Sequence, residues 1–164
     1  MTLKNASLGH LLVAAIVLVT SLSAAHAQPD EARLARYRLS MPVLKKMEAA
    51  MDNLAVVMRE DAAPLTDEER EDAESIDDIA ELYRSRPALR RAIERAGLDV
   101  DEFALCLMSW IQAAMASAMI QHASPAERDQ MIARSGAPVE NVRFYEANAE
   151  YMQTLSQRMQ RLNP

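Results

Sequence analysis

Residues 98–122 read LDVDEFALCLMSWIQAAMASAMIQH, and from Phe103 to Ile120 this stretch carries no charged residue. Its only polar side chains in that interval are Ser109, Gln112 and Ser117. A helix that is apolar on all sides must be surrounded by other helices or by lipid. The stretch therefore predicts either the central helix of a bundle or a membrane span.

The flanks of the stretch favour the bundle. Asp99 and Glu102 have the spacing of a capping box, and Leu98 and Phe103 occupy the staple positions on either side of the cap. Five alanines, two serines and one glutamine between Phe103 and Ile120 make a poor lipid-facing segment. We expect a helix of about 99–122 at the centre of the fold, and a mature chain that is not inserted in a membrane.

Upstream of this helix, an apolar seam predicts a helix over 41–59, with Leu44, Met47, Met51, Leu54 and Met58 spaced three and four apart. Thr66 and Glu69 form a second capping-box pattern and predict a helix whose later apolar stripe includes Ile76, Ala80 and Tyr83. A break at Ser85-Arg86-Pro87 then precedes a short helix, 88–96, which Gly97 should end.

Downstream, Ser124, Pro125 and Glu127 predict the start of a short helix that runs to about Arg134. Pro138 opens a last helix, 138–161, along one continuous apolar seam. No segment alternates in the manner of a strand. The predicted fold is all-α: an irregular helical bundle around the central apolar helix, without a β-sheet.

The N-terminus has the three parts of a secretory signal peptide. Lys4 is followed by an uncharged run, LLVAAIVLVTSL at 11–22, and then by the small-x-small site Ala25-His26-Ala27. We expect residues 1–27 to be cleaved, 28–40 to form a loosely ordered arm, and 41–164 to be a single helical domain. The expected location is outside the cytoplasm, in the bacterial periplasm.

Charge and motifs exclude several functions. Removal of 1–27 takes away only Lys4, so the net charge changes from −6 to −7, which disfavours nucleic acid as a partner. The mature chain keeps one histidine, His122, about 24 Å along the same helix from the single cysteine, Cys106. Haem, di-iron and phosphate-loop motifs are missing from the sequence. We expect no catalytic residues, no cofactor and no metal; His122 is expected to be a helix-end residue, with a ligand or switch as the alternative.

Cys106 and its neighbours leave two further questions open. The cysteine lies in the apolar helix, so an inert buried thiol is expected, and a bridge to another chain is the alternative. Small residues line one row of the same helix: Ser109, Ala113, Ala116 or Ser117, and Ala118. Such a row predicts close helix packing, either within the chain or in a homodimer.

Acidic residues crowd one region, with eleven carboxylates between Glu60 and Glu81 and only Arg70 among them. They lie at predicted helix N-termini, where acids are favoured, so a solvated surface is expected. The alternative is a docking surface for a basic partner.

Methionine is the most unusual component, with 11 in the chain. Candidate ligand or partner positions are Met47, Met51, Met108, Met115 and Met119. Methionine can simply fill a core at helical spacing; it can also form an adaptable binding face, or supply soft ligands to Cu(I).

The run SRPALRRAIERAGLDVDEFALCLMSWIQAAMASAM at 85–119 resembles small exported helical bacterial proteins of uncharacterised function. In these a P-x-L-x-x-A-x-x-x-A-G-L element, here beginning at Pro87, precedes an Ala-rich apolar helix. The resemblance implies no activity.

The sequence thus predicts an exported, non-catalytic helical bundle that acts by protein interaction or self-association. An alternative is a carrier of a small apolar ligand, held in a core lined by methionines.

Overall fold

The computed structural model describes residues 24–60, 66, 69 and 72–161, and side chains within 30–60, 66, 69 and 72–160. These residues form eight helices and no strand: α1 Ala24–Arg36, α2 Met41–Glu60, α3 Ile76–Arg84, α4 Pro87–Glu94, α5 Val100–Met119, α6 Pro125–Ser135, α7 Val139–Ala147 and α8 Ala149–Arg161. The all-α prediction is confirmed. Most of the expected signal peptide, residues 1–23, lies outside the described residues.

Helix α5 is the centre of the bundle, as predicted, because α1, α2, α3, α4, α6 and α7 all contact it. It begins where the cap was expected: the Asp99 carboxylate accepts the N–H of Glu102 at 2.7 Å. It ends at Met119, before the predicted His122. The chain turns after Ile120 so that Ser124 and Pro125 can start α6, with the Glu127 carboxylate accepting the N–H of Ser124 at 3.0 Å.

The main hydrophobic core joins early and late parts of the chain. Phe103, Cys106 and Trp110 of α5 meet buried side chains of α2, α4 and α8. The buried members from these helices include Met47, Met51, Leu54, Leu89, Ile93, Met152 and Leu155. A second cluster, around Ala116 and Ile120, joins the end of α5 to α6 and α7.

The structure corrects the helix predicted to start at Thr66. The Thr66 capping box forms, since Thr66 N donates to the Glu69 carboxylate at 2.9 Å and Glu69 N donates to Thr66 Oγ1 at 3.2 Å. Residues 72–75 are nevertheless not helical, and α3 starts afresh at Ile76. A second capping box explains the restart: Asp78 N donates to Ser75 Oγ, and Ser75 N donates to the Asp78 carboxylate, both at 3.0 Å.

The segment 28–40, expected to be a loosely ordered arm, overlaps helix α1, which runs from Ala24 to Arg36. Two of its side chains are buried, Leu34 against Ile76, Ala80 and Ala104, and Asp30 at the start of α3. The Asp30 carboxylate accepts the N–H of Ile76 at 2.9 Å. Contacts with distant residues therefore hold a segment whose own periodicity is weak.

The predicted helix 138–161 is two helices, separated at Asn148. Asn148 has φ −120° and ψ 30°, away from helical values. Its side-chain Nδ2 donates to the carbonyl of Phe144 at 2.8 Å. Asn148 N also donates to the Phe144 carbonyl, at 3.2 Å, so the side chain adds a second donor to the last turn of α7.

Candidate interaction surface

One face of α5 is left partly uncovered by the rest of the described chain. The buried face of the helix carries Phe103, Cys106, Ser109, Ala113 and Ala116. Half-buried or exposed residues occupy another face, spaced one, three or four apart: Leu107, Ile111, Ala114, Met115, Ala118 and Met119. We call these six residues the α5 strip. At 1.5 Å per residue the strip is about 18 Å long.

The α5 strip has no charged side chain, although the chain as a whole has a net charge of −6. Met119 is 53% exposed; with Val56 on α2, it is one of two exposed large apolar side chains in the part of the chain that the structure describes. Ala114 and Ala118 lie four residues apart, so another helix can approach the backbone closely between them. The flexible side chains of Met115 and Met119 can adapt to the shape of a partner.

By length and composition α5 is long and apolar enough to cross a membrane, with a mean hydropathy of 1.3 in its most apolar window. A core helix of a soluble protein meets the same criteria. Within that window 39% of the residues are buried in the bundle. Contacts of α5 with six other helices explain its apolar composition on the buried side, and the α5 strip is the apolar part of the helix that these contacts cover least.

The candidate methionines do not share one face. Met47 and Met51 are 0% and 1% exposed in the main core. Met108 packs against the separate cluster around Leu34 and Ile76, while Met115 and Met119 belong to the α5 strip. Met47, Met51, Met108 and Met115, four of the five candidate positions, therefore do not line one common surface.

Cys106 is buried and free, and its Sγ donates a hydrogen bond to Met47 Sδ at 3.3 Å. Burial raises the pKa of the thiol to about 12. Burial also raises the pKa of the neighbouring Tyr37 hydroxyl, and the Cys106 sulfur adds to that effect. A thiol that stays protonated at neutral pH is a poor nucleophile and a poor metal ligand, so this cluster contributes to packing.

The described acidic residues around α3 are largely engaged within the chain. Glu69, Asp72, Asp78 and Glu81 line an open groove beside Leu82. Arg86 pairs with Glu69 at 2.6 Å, and Arg84 pairs with Glu81 at 2.7 Å. The bond from Thr66 N and the contact with Arg86 lower the pKa of the Glu69 carboxyl. Arginines thus pair with two of the four acids that line the groove, Glu69 and Glu81, and Asp78 caps the start of α3.

A polar cluster between α2 and α8 was not predicted. Tyr151 donates to the Glu48 carboxylate at 2.7 Å, and Arg158 pairs with Glu48 at 2.9 Å and also with Asp52. Burial, followed by the bond to Glu48, raises the pKa of the Tyr151 hydroxyl. Arg158 lies between the two carboxylates and offsets one of their two negative charges, so the cluster links α2 to α8. Glu48 and Tyr151 are 103 positions apart in the sequence, so no local sequence pattern could predict this cluster.

Other expected site residues stand apart. His122 is exposed in the turn after α5, at the helix end where it was expected. In the ranges 24–60, 66, 69 and 72–161, no three His, Cys, Asp or Glu side chains are grouped as a metal site would require. Comparisons with known protein families, with curated proteins and with solved structures give no match to this chain.

Proposed function

We propose that the protein is an exported, non-catalytic helical bundle that acts through protein contacts, first of all with a second copy of itself, and that the α5 strip is the contact surface. The observation that carries this proposal is the uncharged face from Leu107 to Met119, which the described chain leaves partly exposed.

A second copy suits this surface because the strip is self-complementary in chemistry. Two negatively charged molecules can meet there without bringing carboxylates together, since the six residues of the strip are uncharged. A two-fold arrangement places the same patch on both subunits, so the Ala114–Ala118 interval of one copy can pack against that of the other.

The size of the strip sets the expected affinity. A helix face about 18 Å long and about 10 Å wide has an area of at most roughly 180 Å², and four of the six residues of the strip are half-buried. Stable interfaces bury about 800 Å² on each partner. We therefore expect a strip-only dimer to be weak and concentration-dependent, unless further elements join the interface.

Light scattering coupled to size-exclusion chromatography tests the proposal over a range of protein concentrations. Met119→Lys should abolish association without unfolding the bundle, because Met119 is exposed. Gln130→Lys is the matched control, at an exposed position on α6. A wild-type protein that remains monomeric and binds no other chain from the envelope fraction contradicts the proposal. Equal association of wild type and Met119→Lys excludes the strip as the contact.

Export is proposed on the signal-peptide pattern of residues 1–27. Expression with a periplasmic fractionation, followed by N-terminal sequencing, tests it. The expected first residue is Gln28; a cytoplasmic chain that retains its N-terminus contradicts export.

A further inference from the structure

Only one residue, Asn148, separates α7 from α8. The sequence from Val139 to Arg161 contains no proline and no glycine, the residues that most often bend helices. The interruption is accompanied instead by the bond from Asn148 Nδ2 to the Phe144 carbonyl. Helical bonding resumes at once, since Met152 N donates to the Asn148 carbonyl at 3.0 Å.

The apolar seam of the two helices runs through this interruption without a change of register. Val142, Tyr145, Ala149, Met152, Leu155 and Met159 follow one another at intervals of three and four. That spacing is typical of one continuous helix. The local sequence is thus compatible with one continuous helix, whereas the packed bundle has a break at Asn148.

Helix α8 is held on α2 by a set of contacts that a second molecule could supply equally well. Met152 and Leu155 are completely buried in the main core. Tyr151 and Arg158 bind Glu48, and Arg158 also binds Asp52. If α8 left its own α2 and docked on the α2 of another copy, every one of these contacts could re-form. Exchange of an identical element needs no new complementary surface.

We infer that Asn148 is a hinge and that the protein forms a dimer in which the two copies exchange α8. In this dimer α7 and α8 straighten into one helix, and α8 of each copy packs against Glu48 and Asp52 of the other. The inference rests on the proposed self-association, and it supplies the buried area that the α5 strip lacks. The bond from Asn148 Nδ2 to Phe144 favours the closed monomer.

Cysteine cross-linking between copies tests the exchange directly. Both chains carry Cys106→Ala; one also carries Asp52→Cys and the other Arg158→Cys. The two are mixed in denaturant, refolded together and oxidised. A covalent dimer is expected, because these positions are in contact only between copies in that mixture. Gln153→Cys, an exposed position on α8, replaces Arg158→Cys as the control and should not cross-link.

The hinge is tested at Asn148. Asn148→Ala removes the bond to Phe144 and raises helix propensity, so the dimer fraction at limiting concentration should rise by about threefold per hinge. Asn148→Gly disfavours the straight helix and should lower it. Both are measured by light scattering, with circular dichroism as a check of folding.

The outcomes separate this inference from the proposed function. Association that Met119→Lys abolishes, with no Asp52→Cys to Arg158→Cys cross-link, overturns the exchange and leaves the strip contact in place. Cross-linking that persists in Met119→Lys supports the exchange independently of the strip. A strict monomer for both wild type and Asn148→Ala overturns the exchange and the self-association on which it rests.

Discussion

Asn141 holds the main chain of Leu39 from 102 positions away: its Oδ1 accepts the Leu39 N–H at 2.9 Å. Its Nδ2 donates to the carbonyl of Tyr37 at 3.0 Å. Asn141 is only 1% exposed, so water does not replace these bonds readily. One buried side chain of α7 thus satisfies two backbone groups of the connection between α1 and α2.

Replacing Asn141 by alanine should destabilise the protein by about 3 kcal/mol, because two buried backbone groups lose their partners. Urea unfolding followed by circular dichroism measures the change. Gln130→Ala, at an exposed position, is the control and should stay within about 0.5 kcal/mol of wild type. A similar small effect for Asn141→Ala would contradict the assigned bonds.

Replacing Asp30 by alanine should destabilise by about 1 kcal/mol, as loss of a helix cap does, because Ile76 N–H loses its acceptor. Asp30→Asn keeps an acceptor oxygen and should retain most of the stability. Asp77→Ala is the comparison at an exposed ion pair with Arg33, where about 0.5 kcal/mol or less is expected. Equal effects of the alanine variants at 30 and 77 would show that α1 is not docked through Asp30.

Two methionines should respond very differently to truncation. Met51→Ala leaves a cavity in the main core, where Met51 is 1% exposed, and should destabilise by about 2–5 kcal/mol. Met119→Ala, at a 53% exposed position, should change stability by less than about 0.5 kcal/mol. Thermal unfolding of both variants measures the difference. Comparable losses would place Met119 in the core instead of on the surface.

Alkaline pH should destabilise the fold through Cys106. The thiol pKa is about 12 in the folded protein against an ordinary value of 9.0, so above pH 9.0 the unfolded chain binds fewer protons than the folded one. The contribution of the protonated thiol to the free energy of unfolding is complete below pH 9.0 and is lost as the pH rises towards 12. Over that range the free energy of unfolding falls by up to about 1.4 kcal/mol per pH unit. The raised pKa values of Tyr37, Tyr145 and Tyr151 act in the same direction.

Urea midpoints from pH 8 to 11 check this effect, and Cys106→Ala should show a shallower decline than wild type. A thiol reagent at pH 8 should label Cys106 only after unfolding. Rapid labelling of the native protein would contradict its burial.

Local signals predicted the elements that depend on local contacts. Apolar seams and capping residues predicted four features: the bounds of α2, the break before α4, the left-handed Gly97 with φ 81°, and the start of α6. The start of α3 at Ile76 was not predicted, although Ser75 and Asp78 have the spacing of a capping box. The acidic residues after Thr66 suit the first turns of a helix, so one helix was expected to run on from Thr66. Docking of α1 through Asp30 depends on a residue 46 positions away, which no local pattern contains.

The candidate site was only half predictable for a similar reason. Periodicity placed Met47 and Met51 on the apolar seam of α2, and Met108, Met115 and Met119 were candidate positions on α5. It could not tell which helix faces meet, since that depends on packing. The uncovered face of α5 became visible only when the surrounding helices were in place.

The long-range contacts of Asn141 and Arg158 also set an order in time for assembly. Asn141 is needed to complete the Tyr37–Leu39 connection, and Arg158 to complete the polar side of α2 at Glu48 and Asp52. When a chain emerges N-terminus first, from a ribosome or through a translocation pore, the connection between α1 and α2 cannot be completed before α7 has emerged. The polar side of α2 cannot be completed before α8 has emerged. Contacts this distant in sequence slow folding, because the intervening loop must close first. We therefore expect the bundle to close late in folding.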